Sequence, residues 1–148
     1  MCYHLTVLRI VLDTSVFVAA LIRASAGPSS RVIRLCLEGR CQALMGDKLF
    51  REYESVMSRA ALFKDCPLGP EKRQRLFAGF ANVCEWVSVH YLWRPNLPDE
   101  GDNHVFELAI AGGAKVIVTQ NIRDFKRAEL RFPEVEVLTP SEFLRKVV

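Results

Sequence analysis

The sequence predicts an α/β fold, a central and mainly parallel sheet with helices on both faces, formed by residues 1–148 as one domain. Three observations lead there. Short apolar or β-branched runs alternate with segments of helical apolar spacing along the whole chain. Such alternation builds βαβ units, whose strands run parallel and whose crossovers are right-handed. Third, four of the six aspartates fall where elements end or begin: Asp13, Asp99, Asp102 and Asp124. In open parallel sheets ligands sit beyond the carboxyl ends of the strands, so aspartates there are candidates for a site.

Each element has its own justification. Leu8 to Leu12 is short and β-branched, a buried strand. Helical spacing follows through Val16, Phe17, Ala20 and Leu21, until Gly27-Pro28-Ser29-Ser30 breaks it. Pro28 or Ser29 opens a second helix carrying Val32, Ile33, Leu35, Cys36 and Leu37, which stops at Gly39. Ala43 to Met45 is a brief strand. Asp47 is placed to cap a third helix with the stripe Leu49, Phe50, Tyr53, Val56, Met57 and Ala60. After a loop from Asp65, Pro70 stands near the first position of a fourth helix, Glu71 to Val83. Trp86 to Val89 reads as a strand and Tyr91 to Gly101 as a loop. Asp102 to Ala111 is a helix ended by Gly112-Gly113. Lys115 to Thr119 and Val135 to Leu138 are strands, with the turn residues Asn121 and Asp124 after the first of them. Thr139-Pro140-Ser141-Glu142 is a capping box with proline at the first helical position.

Composition narrows the function classes. At 50% apolar and 25% charged residues this is an ordinary globular chain with enough length for a real core. No apolar run approaches the ~18 residues of a membrane span. The start, Met1 to Leu8, lacks the basic lead of a signal peptide, which predicts a cytoplasmic protein without a membrane partner. The five cysteines, Cys2, Cys36, Cys41, Cys66 and Cys84, show no C-x-x-C pair and read as reduced apolar side chains. Net charge is +3, mild for a nucleic-acid binder, but 14 of the 20 basic residues are Arg, which forks onto phosphate oxygens. The three histidines are scattered, so a His-based metal or nucleophile site is not expected. Phosphate-binding and serine-nucleophile glycine motifs are absent.

The acidic residues carry the chemistry. Carboxylates far apart in sequence but gathered at one sheet edge hold Mg²⁺ or Mn²⁺. Each also has a plainer reading. Asp13 after a strand is a routine helix cap. Asp102 points inward on the helical wheel, between Phe106 and Ala109, as either a cap or a ligand favoured by the helix dipole. Asp99 lies three residues earlier. Glu52 and Glu54 flank the stripe of the third helix on opposite edges, and periodicity does not choose between them.

Taken in order, Val11-Leu12-Asp13-Thr14-Ser15-Val16, Leu49-Phe50-Arg51-Glu52-Tyr53, Asp99-Glu100-Gly101-Asp102-Asn103, Val116-Ile117-Val118-Thr119, Asn121-Ile122-Arg123-Asp124-Phe125 and Thr139-Pro140-Ser141-Glu142 span nearly the whole chain. This ordered set resembles a PIN domain, in the VapC-like branch of toxins from toxin–antitoxin pairs. The resemblance implies an α/β/α sandwich, a three-layer fold, with an acidic pocket for Mg²⁺ or Mn²⁺ and endoribonuclease activity on RNA. It implies Asp13, Glu52 and Asp102 as the core acids, choosing Glu52 over Glu54, and Asp99 as an additional acid. The fourth core position falls on Asn121, with Asp124 three residues on, so either completes the site. Thr14, Ser15, Thr119 and Asn121 are then candidates to orient phosphate or water. Arg23, Arg51, Arg94 and Arg123 stand near the motif segments as rim contacts for the RNA backbone. A cognate antitoxin protein and a homodimer are the partners the resemblance implies. Two rivals are a nuclease acting on DNA and a PIN-like binding module that has lost catalysis. A phosphotransferase with Asp13 as nucleophile would want a second Asp two residues on, where Ser15 stands.

Overall fold

The computed structural model describes residues 7–23, 27–89, 103–129 and 132–147. Among these residues five strands form one parallel sheet: β1 (Leu8–Leu12), β2 (Cys41–Met45), β3 (Glu85–Trp86), β4 (Val116–Val118) and β5 (Glu136–Leu138), in the order β3-β2-β1-β4-β5. Between and after them lie α1 (Thr14–Ile22), α2 (Pro28–Leu37), α3 (Asp47–Met57), α4 (Pro70–Val83), α5 (Asn103–Ala111), α6 (Ile122–Glu129) and α7 (Pro140–Val147). The central strands are apolar on both faces. Ile10, Val11 and Leu12 lie opposite Val116, Ile117 and Val118, all of them buried. Only a strand covered on both sides has that composition.

The order of strands fixes where a site can form. From β1 the chain moves through β2 to β3 on one side, then returns to β4 and β5 on the other. Right-handed crossovers therefore place the connecting helices of the first half, α1 to α4, and those of the second, α5 and α6, on opposite faces, while α7, which follows the last strand, packs against α2. On one face, Phe17, Tyr53, Phe77 and Phe80 bring α1, α3 and α4 together, with ring centroids 5.4–6.0 Å apart. On the other, Phe106 of α5 meets Phe125 of α6 and Phe132, at 5.9 and 5.0 Å. The result is the expected three-layer sandwich. Strand order reverses between β1 and β4, and the crevice beyond their carboxyl ends is where such folds bind ligands.

Several local expectations hold. Thr139 N–H donates to Glu142 Oε1 at 2.9 Å and Glu142 N–H to Thr139 Oγ1 at 3.1 Å, the reciprocal capping box of α7. Gly113 ends α5 with φ +73°, the left-handed conformation glycine adopts cheaply, and Ala114 N–H closes onto Ala109 carbonyl at 2.7 Å. Gly112 is needed for a different reason: a Cβ there would overlap Leu44 Cδ1 and lie 3.1 Å from Val87 Cγ2.

Others are corrected. Asp47 is the first residue of α3, not its cap; Gly46 holds the cap position in extended backbone, and Asp47 pairs with Arg51 at 3.2 Å. The third strand is Glu85–Trp86 and does not reach Val89, because it is the sheet edge with one neighbour. Its Trp86 is 54% exposed. Ala60, expected on the stripe of the third helix, falls instead in a 3-10 turn, Ala60–Phe63, because α3 ends at Met57. Asn121 and Asp124, read as turn residues, instead start α6: Phe125 N–H donates to Asn121 carbonyl at 3.3 Å, and burial of Phe125 holds the helix down. Among the described residues no helix is long and apolar enough to cross a membrane. The cysteines Cys36, Cys41, Cys66 and Cys84 are free, and burial pushes the Cys84 thiol up to about 12 and the Cys36 thiol further.

Candidate active site

Asp13 sits at the switch point. It follows β1, caps α1, and is 3% exposed. Its backbone N–H continues the ladder to Val118 carbonyl at 3.0 Å, which fixes the residue against the end of β4. Three donors converge on one carboxylate oxygen, Oδ2: Ser15 Oγ at 2.6 Å, Thr119 Oγ1 at 2.9 Å and Ser15 N–H at 3.4 Å. Among the described residues no hydrogen bond falls on Oδ1. The cap and the ligand readings of Asp13 are thus compatible, since capping uses one oxygen only.

The hydroxyls around Asp13 are themselves held. Gln120 N–H donates to Ser15 Oγ at 3.0 Å and Asn121 N–H to Thr119 Oγ1 at 2.9 Å. Each hydroxyl accepts from the loop after β4 and donates to the carboxylate. Gln120 Nε2 donates to Ser29 Oγ at 2.7 Å, tying the same loop to the start of α2. Despite the three donors, burial dominates and raises the Asp13 carboxyl above the usual carboxylate range; the Glu52 charge adds to the rise. Thr14 is buried beside Asp13 at the start of α1.

Glu52 arrives from α3. Its neighbour Tyr53 is 1% exposed and donates its hydroxyl to Leu12 carbonyl at 2.8 Å, one residue before Asp13. That bond fixes the height of α3 along β1. Glu52 is half-buried while Glu54 is exposed, so the fold settles which glutamate faces inward. The residue that sequence reasoning missed is His104, near the start of α5: its Nε2 lies 2.9 Å from Glu52 Oε2. Periodicity along α5 carries no signal for that contact, which joins two helices 52 positions apart. Its neighbour Asn103 is 5% exposed with Nδ2 buried and unpartnered among the described residues.

The remaining predicted residues divide. Asn121 and Asp124 are exposed, Asp124 in the first turn of α6. Asp99, Asp102 and the rim candidate Arg94 lie outside the described residues. Arg23 and Arg123 are exposed, and Arg51 is turned to Asp47. Among the described residues no group of three or more His, Cys, Asp or Glu side chains is assembled around one point. The donor set nonetheless fits a hard divalent cation. Asp13 and Glu52 offer carboxylate oxygens near enough to repel, and Asp13 keeps Oδ1 clear of described donors.

A buried carboxylate at the switch point of a doubly wound parallel sheet stands where such folds bind ligands. The chain belongs to the PIN domain family: the family model matches residues 9–123, from β1 into α6. PIN domains are nucleases that generally use divalent metal ions. The fold is also similar to that of a chain in VapBC2 from Rickettsia felis, solved bound to a DNA fragment from their promoter. The two share 18% identity over 89% of this chain and 98% of that one, with a TM-score of 0.57. A comparison with curated proteins finds no match.

Proposed function

We propose that the protein is a Mg²⁺- or Mn²⁺-dependent endoribonuclease and the toxin of a VapC-like toxin–antitoxin pair, working in the cytoplasm. The observation that carries this is Asp13: a carboxylate 3% exposed at the switch point, fully braced on Oδ2 and raised in pKa. A structural cap does not need Thr119 reaching across from another strand, and the raised pKa is a cost that cation binding removes.

In this reading Asp13 through Oδ1, Glu52 and Asp102 hold the ion, with Asp99 or Asp124 completing the set. When bound, the ion lowers the pKa of a water and neutralises charge developing on the phosphate. Ser15 and Thr119 hold Asp13 in one rotamer. Asn121, in the same loop, and Thr14, beside Asp13, orient the incoming phosphate or water. Arg23 and Arg123, both exposed, meet the RNA backbone. A site open at one sheet edge suits single-stranded RNA, which presents one backbone at a time. The shared fold with a chain of VapBC2 supports a cognate antitoxin as partner, and a homodimer is the assembly this reading takes with it.

The test is cleavage of a mixed RNA pool, and in parallel of single- and double-stranded DNA, by purified protein with Mg²⁺, Mn²⁺ or EDTA. The expected result is metal-dependent RNA cutting that Asp13→Asn and Asp102→Asn each abolish. Cutting of DNA alone, or cutting that survives Asp13→Asn, overturns the proposal.

A further inference from the structure

We propose that His104 is a positioning residue for Glu52, holding one carboxylate oxygen so that the other is presented to the ion; this rests on the metal-dependent reading above. The contact is specific. His104 Nε2 meets Glu52 Oε2 at 2.9 Å, with the side chains 14% and 35% exposed. An ionised carboxylate only accepts, so Nε2 is the donor in this contact. Nδ1 is buried with no partner among the described residues. With Nε2 engaged by Glu52 and Nδ1 buried, His104 acts through Glu52.

A purely structural tie between α3 and α5 is already supplied elsewhere. Leu108 of α5 packs against Gly46, where a Cβ would come within 3.1 Å of its Cδ1. Tyr53 independently fixes α3 to β1. What neither contact does is choose a rotamer for Glu52. A free glutamate samples several rotamers, and the histidine selects one, as partners of ligating groups do in metal sites generally. Loss of such a partner costs roughly 10–100-fold in metal affinity.

The experiment is Mn²⁺ binding in the absence of RNA, read from the free-ion EPR signal, beside melting temperatures. His104→Ala is expected to raise the Mn²⁺ dissociation constant by at least ~10-fold. His104→Gln places an amide N–H where Nε2 was and should stay within about 3-fold of wild type, whereas His104→Asn is one carbon too short and should resemble the alanine variant. If His104→Ala does not fold, the Gln and Asn variants decide alone. On a Glu52→Gln background, His104→Ala should add no further loss. Wild-type affinity in folded His104→Ala or His104→Asn overturns the inference, as does a full additional loss in the double variant. Failure of the wild type itself to bind Mn²⁺ overturns the metal-dependent reading, and this inference with it.

Discussion

Replacing Asp13 by asparagine should abolish cleavage and, in metal-free buffer at pH 7, make the fold more stable. The carboxylate is 3% exposed and holds three hydrogen bonds on Oδ2. Bonds to a charged group contribute about 1.5–3 kcal/mol each. Against them stands the loss of water around a buried charge, several kcal/mol per ion, with Glu52 adding repulsion. The two sides nearly cancel, and burial, the largest cause of the raised pKa, leaves the charged form less favoured in the fold than in the unfolded chain. Asparagine keeps the acceptor at Oδ2 and places its NH₂ on the Oδ1 side, clear of described donors. The expected gain is on the order of 1 kcal/mol, or roughly 2–4 °C for a chain of this size. The sign of the pH dependence follows from the raised pKa. The native state binds the proton more tightly, so the stability this group contributes is full below its unfolded value, about 3.9, and is lost as pH rises through the folded one. The gap between variant and wild type should therefore be widest at neutral pH and close as pH falls toward about 4. Saturating Mn²⁺ should stabilise the wild type, by about 2.7 kcal/mol at a hundred times the dissociation constant, and leave the variant unmoved. Thermal melts between pH 4 and 8, with EDTA or Mn²⁺, measure all of this. A variant that melts below wild type at pH 7 in EDTA, or a gap that does not narrow in acid, would refute the reasoning.

Further outcomes are expected elsewhere in the fold. Gly112→Ala forces a methyl against Leu44 and Val87 and should cost about 1–3 kcal/mol by denaturant titration. Tyr53→Phe removes the donor to Leu12 carbonyl and should cost roughly 1–2 kcal/mol. It should also lower the cleavage rate, because α3 loses its fixed height beside Asp13. Burial holds that phenol well above its usual pKa, so the Tyr53 effect should not change between pH 6 and 9. Alkylation of the native protein at pH 8, mapped by mass spectrometry, should leave Cys36 and Cys84 unmodified while denatured protein reacts at both.

What the sequence disclosed is what short-range physics determines. The buried strands around Val11 and Ile117, the capping box at Thr139 and Glu142, and the placement of Asp13 at a strand end depend on neighbouring residues only. Glu52 was ambiguous against Glu54 because both border one stripe, and a third element, α5, breaks the tie. His104 stands in no histidine cluster, and its partner is a carboxylate on another helix, a relation no single wheel contains. The α6 helix carries little apolar signal because Arg123 and Asp124 in its first turn are polar; Phe125, buried against Phe106, pins it, with Ile122 partly buried against the core. The third strand is shorter than its apolar run because an edge strand pairs only where its neighbour reaches.

The bond from Thr119 to Asp13 spans 106 positions, and this has a consequence for the newborn chain. At ~5–20 residues per second of synthesis, roughly 5–20 s separate the appearance of the aspartate from that of the threonine that braces it. During that interval β1 has no β4 to pair with, and Asp13 has neither its backbone bond to Val118 nor its brace from Thr119. The switch-point crevice therefore takes shape only after β4 has been made.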